Sequence, residues 1–160
     1  MKRTTIILAS LCILWTASVF SDPAVQQKII QVTEGVKFFR DGDSITITEV
    51  KATSSDLKVG DKVIVKGRYT LSSRPKATLS LFATETKGPG TEETRPEQKI
   101  GISAGKGELE LSIMLKYDGY LHITFYAVPD GKPFGGLYFG TANQMEEIKD
   151  WKLQDWYTTK

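Results

Sequence analysis

Residues 107–128 read GELELSIMLKYDGYLHITFYAV, and the fold turns on how they are paired. Leu109, Leu111, Ile113 and Leu115 alternate with Glu108, Glu110 and Ser112. After the turn residues Tyr117, Asp118 and Gly119, the same rhythm returns in Leu121, Ile123, Phe125 and Ala127. A period of two places apolar side chains on one face of a strand and polar ones on the other. The stretch therefore predicts two antiparallel strands, each with one dry and one wet face.

The rhythm extends outward in both directions. SITITEV (44–50) sets Ile45 and Ile47 against Thr46 and Thr48. KVIVKGRYTL (62–71) aligns Val63, Val65, Tyr69 and Leu71, with Lys66, Arg68 and Thr70 opposite. ATLSLFAT (77–84) aligns Leu79, Leu81 and Ala83, and KIGIS (99–103) brings Ile100 and Ile102 into phase. With FGGLYFG (134–140) this makes seven strands, divided by the turn signals SSRP, AGKG, YDG and PDGKP. No long helical pattern separates them, so parallel βαβ units are excluded. The expected fold is all-β, a two-sheet antiparallel sandwich of about seven strands over residues 38–141.

The flanks read differently. Residues 22–37 are helix-compatible: Asp22 can cap, Pro23 suits a first turn, and Val25, Ile29 and Ile30 form a weak stripe. In 142–160, Asn143 with Glu146 three residues on suggests a capping box, and Met145 and Ile148 share a helical face. WKLQDWY (151–157) then alternates, which predicts a short helix followed by an extended tail packing on the sandwich.

Residues 1–21 resemble a secretory leader. Lys2 and Arg3 precede an uncharged run from Ile6 to Phe20, too short to span a bilayer comfortably. Cleavage fits best after Ser21, with Ser18 as the alternative and an uncleaved N-terminal anchor as the competing reading. Cys12 is the only cysteine and lies inside the run, with Leu11 before it, which argues against lipidation. Cleavage after Ser21 would leave 139 residues without cysteine, so the core alone must stabilise the domain. It would also leave 19 basic against 19 acidic residues. A net charge of zero with no basic block gives counter-ion release nothing to work on, so nucleic acid is not an expected partner. The same balance offers no anchor to a membrane once the leader is removed.

Motifs for chemistry are scarce. In PFGGLYFGT (133–141), Gly135 and Gly140 have P-loop separation, but Thr141 stands where the lysine belongs. The better reading is a strand whose glycines admit a close neighbour. His122 is the only histidine and sits mid-strand, away from any serine elbow. Paired carboxylates are available at Glu108 and Glu110, or at Glu92 and Glu93, but alternating glutamates are ordinarily a wet strand face. RDGDS (40–44), with Asp41 and Asp43, is a weak version of a calcium loop that turn chemistry explains as well. No catalytic residue, metal site or cofactor is assigned.

One constellation is geometric. If strands 77–84, 119–128 and 134–140 share a sheet, their outward rows bring together Phe82, His122, Tyr126 and Tyr138. These four residues are the expected ligand-binding face, a platform for a flat ligand such as a carbohydrate. The competing reading is that the tail folds back and covers them with Trp151 and Trp156.

The alternating rows and YDGYLHITFY together resemble an immunoglobulin-like or fibronectin-type-III-like sandwich. In that resemblance Tyr120, or Tyr117 beside Asp118 and Gly119, takes the place of the corner tyrosine of strand F. The disulfide and the strand tryptophan of antibody domains are absent. GDSITITEV, GRYTLSSR, LHITFYAV and FGGLYFGT are also similar to small exported bacterial proteins to which no activity is attached. The resemblance implies fold and export, and carries no catalytic residue with it. The expected function is thus an exported, non-catalytic binding or structural module, secreted or periplasmic, with a protein or glycan ligand. The alternatives are a carboxylate-dependent carbohydrate-active hydrolase, or a protease inhibitor presenting the loop 86–98.

Overall fold

The computed structural model describes residues 26–87 and 95–157. Its seven strands are β1 (Lys28–Ile30), β2 (Thr33–Phe38), β3 (Ser44–Ala52), β4 (Lys62–Lys87), β5 (Lys99–Met114), β6 (Asp118–Ala127) and β7 (Pro133–Gly140). Two short helices follow, α1 (Ala142–Glu147) and α2 (Leu153–Tyr157). The strands form one curled antiparallel sheet in the order β1-β3-β4-β6-β7-β2, with β5 paired to β4.

The two strands of 107–128 form as their alternation requires, but they do not pair with each other: β5 and β6 each pair with β4. Leu109, Leu111 and Ile113 of β5, and Leu121, Ile123 and Phe125 of β6, all lie in one buried cluster. That cluster also holds Val50, Val63, Val65, Leu79, Leu81, Leu137 and Phe139, so one face of the curled sheet encloses a single core.

Three expectations need correction. Residues 22–37 are not helical where described: they carry β1 and β2, which pair with β3 and β7. The weak apolar stripe lost to the hydrogen bonds that open sheet edges offer. Next, SSRP does not end a strand. β4 runs through it unbroken, pairing with β3 over 63–70 and with β6 over 77–87. The segment is a bend, where β4 takes five steps, Leu71 to Lys76, against two of β5. Buried Asp43 holds it, accepting the backbone N–H groups of Ser72 (2.7 Å) and Ser73 (3.0 Å) and the Ser73 hydroxyl (2.5 Å). AGKG likewise lies within β5, with Gly105 at φ +114° opposite Leu71. The RDGDS turn presents Asp41 and Gly42 at positive φ and is closed by Asp43 N–H to Arg40 O (2.9 Å).

The tail also departs from expectation. Thr141, not Asn143, caps α1: its side chain accepts from Gln144 N–H (3.2 Å), and the Gln144 side chain accepts from Thr141 N–H (2.9 Å). Residues 153–157 are helical rather than extended, because Leu153 and Tyr157, four apart, bury together.

Within β3 the phase slips. Ile47 faces Gly67 and Glu49 faces Lys66, a bulge after which Val50 and Ala52 take the inward positions. Gly67 is required there, since a Cβ would sit 2.4 Å from Thr46 O.

Candidate functional site

β4, β6 and β7 are adjacent, and their register aligns Phe82, His122 and Tyr138 in a row across the outer face. Tyr126 lies two outward positions beyond His122 on β6, past Thr124, opposite Thr78. The four expected residues are therefore neighbours, but in two different settings.

His122 and Tyr138 belong to the covered side. Their rings stack with centroids 4.8 Å apart. Tyr138 is 2% exposed, and its hydroxyl shares a hydrogen bond of 2.7 Å with Thr84 Oγ1. Burial pushes the phenol well above its ordinary value. Trp151 closes edge-on over Tyr138 (5.5 Å) and Tyr120 (5.4 Å), and Trp156 packs outside it at 5.2 Å. Met145, Ile148, Leu153 and Tyr157 complete this second apolar cluster. His122 Nδ1 lies 2.9 Å from Thr124 Oγ1, which also meets Tyr157 Oη at 3.3 Å. Loss of water around the imidazole lowers its pKa from 6.5 to about 4, so the ring is neutral at physiological pH.

The glycines of β7 make this covering fit. A Cβ on Gly136 would lie 2.7 Å from Tyr157 Oη, 2.7 Å from Thr124 Oγ1 and 2.8 Å from Ile123 O. One on Gly140 would meet Gln144 Oε1 at 2.5 Å. PFGGLYFG is thus a strand buried on both faces, its glycines leaving room for the C-terminal segment. Arg40 adds a tie, donating from its guanidinium to Tyr157 O.

Phe82 and Tyr126 remain on the open side. Both are half-buried, and their rings meet edge to face with centroids 6.1 Å apart. They line a groove of about 660 Å³ with Thr78, Ser80, Lys99 and the turn residues Val128, Pro129 and Gly131. Lys99 reaches over Phe82, its Nζ 5.8 Å from the ring centroid. Sequence reasoning found the two rings and missed the rest. Lys99 reads as an ordinary wet-face lysine until register sets it opposite Ser80.

The other chemical candidates land apart from this groove. Glu108 and Glu110 are exposed on the outer face of β5, with Glu110 paired to Lys66 (3.5 Å) and Glu108 opposite Arg68. Glu92 and Glu93, and with them most of loop 86–98, lie outside the described residues. Among the described residues no group of three or more His, Cys, Asp or Glu side chains could hold a metal ion. None of their helices is long and apolar enough to cross a membrane. The leader expected over 1–21 also lies outside the described residues.

No family model matches the chain, and no curated protein or solved structure matches it.

Proposed function

We propose that this chain is an exported, non-catalytic binding module that holds a flat ligand, a glycan before a protein, against Phe82 and Tyr126. One observation carries the reading: two half-buried rings set at 89° form a corner beside the Thr78 and Ser80 positions, in a groove of about 660 Å³. Grooves of that size with apolar walls and few polar groups suit small ligands. A pyranose presents a C–H face to one ring and hydroxyls to the strand. The contribution of His122 and Tyr138 is indirect, since they support Phe82 from beneath the tail.

Export rests on the Lys2-Arg3 start and the uncharged run after it. We read the curled sheet as closing into two layers, a sandwich around one core. In support, residues of β3 and β7, which are not hydrogen-bonded neighbours, share the same buried cluster. An immunoglobulin-like character finds support in Tyr117, whose hydroxyl donates to Ala83 O (3.1 Å). That contact reaches β4 rather than the preceding turn, unlike the corner of antibody domains.

A glycan array probed with the full chain tests the function. Binding to at least one glycan class, lost in Tyr126→Ala, is expected. An array with no bound glycan would sink the reading. Binding that survives Tyr126→Ala but follows Trp156→Ala would move the site to the exposed tryptophan of α2.

A further inference from the structure

Lys99 gives the groove a chemical preference. Among the described residues that line it, Lys99 is the only formally charged one. No carboxylate of the described residues pairs with it, whereas Lys37, Lys51, Lys58, Lys66 and Lys149 each have one. Its position is set by the backbone: it opens β5 directly opposite Ser80, one outward step from Phe82. Gly101, the next outward position on β5, faces Thr78 and leaves the floor clear, with nothing within 4 Å of where its Cβ would be. The groove thus has a ring corner at Phe82 and Tyr126, the hydroxyl residue Thr78 on its strand wall with Ser80 buried behind it, and at the side an ammonium that no carboxylate of the described residues pairs with.

We infer that the groove selects an acidic saccharide, in which one ring packs on Tyr126 and Phe82 while its carboxylate meets Lys99. This rests on the groove being the ligand site. A hexuronate answers each feature: a C–H face for the aromatic corner, ring hydroxyls for Thr78, and a carboxylate for the ammonium. A charge-assisted contact at an exposed lysine gives an affinity gain of about tenfold. Salt reduces that gain, because the ammonium is in contact with water.

The test titrates the full chain with cellobiouronic acid and with cellobiose, which differ by a carboxylate in place of one hydroxymethyl group. Shifts of the Tyr126 ring protons give each dissociation constant. The acid is expected to bind about tenfold more tightly than the neutral sugar. Lys99→Gln should bring the two to equal affinity, and Lys99→Glu should reverse the preference. Both variants lie on the surface, and unchanged melting checks that they fold. Equal binding of acid and neutral sugar by the unaltered chain overturns the inference while leaving a sugar site in place. A preference that persists in Lys99→Gln also overturns it. If neither sugar moves the Tyr126 resonances, the groove reading falls and this inference with it. Benzoate is the third arm: tighter binding of benzoate than of the uronate would replace the saccharide with an aromatic acid.

Discussion

Gly136 shows how one missing methyl group can organise a protein. Its neighbours would lie 2.7–2.8 Å from a Cβ, two of them side-chain oxygens and one a backbone carbonyl of the adjacent strand. The tail can yield by moving Tyr157, but Ile123 O cannot move without disturbing β6. Gly136→Ala is expected to destabilise the chain by about 1–3 kcal/mol, the usual range for overpacking, read as a lower urea midpoint with unchanged m-value. Gly67→Ala should do at least as much, because the obstacle at 2.4 Å, Thr46 O, is backbone. The same logic explains the fate of the aromatic quartet. Phe82 and Tyr126 keep a groove because the turn 128–131 stands beside them, while Tyr138 is covered because the tail docks on it.

At the scale of elements, the C-terminal helices are too short to be stable alone. They hold their shape through what they bury: Met145 from the first and Ile148 at its C-cap, Leu153 and Tyr157 from the second. Ending the chain after Thr141 would uncover Tyr138 and His122 and remove those four anchors. Each buried anchor contributes about 1.5–3 kcal/mol of transfer free energy, so the truncated chain should melt more than about 10 °C lower. New binding of a hydrophobic dye should accompany the loss, and unchanged melting would show that the helices do not contribute to the fold. The bend in β4 makes a second prediction. Asp43 satisfies three donors at Ser72 and Ser73. Asp43→Ala leaves the Ser72 and Ser73 N–H groups to water and should cost about 1 kcal/mol, the net worth of an ordinary hydrogen bond, visible as faster amide exchange at Ser72 and Ser73.

Across the whole molecule, two groups make stability depend on pH in separate windows. His122 is depressed to about 4 in the folded chain, against an ordinary 6.5. The unfolded chain therefore binds the proton first, and stability falls as pH drops through 6.5, levelling off below about 4. The loss should be on the order of 2 kcal/mol, given that the ring is partly exposed. Asp61 acts lower on the scale. Desolvation alone would raise its pKa, but hydrogen bonds from Ser54, Thr53 and the Lys58 N–H, with the Lys58 charge, outweigh it and hold the carboxyl below its ordinary 3.8. Its contribution is complete above 3.8 and is lost as pH falls through the lower folded value. Acid denaturation followed from pH 7 to pH 2 should show both stages. His122→Asn should flatten the first and leave the second, and Asp61→Asn the reverse.

The sequence by itself determined the all-β character from residue 44 to 140 and most of its inward residues, because alternation is local: Leu109, Leu111, Ile123 and Phe125 need no partner to declare their side. It also declared that the glycines of β7 answer to a close neighbour. Tertiary pairing decided what local signals could not. Ser72 to Pro75 carry every mark of a turn, yet Asp43, some thirty residues away, turns them into a bend within one strand. Residues 28–38 became strands because sheet edges offered hydrogen bonds that a weak helical stripe could not match. Which rings of the aromatic row stay accessible was settled by where the tail docks, and Lys99 joined the groove only through strand register. Contacts between residues distant in sequence leave no periodic trace in it, so the face was legible in advance and its division into a covered half and an open half was not.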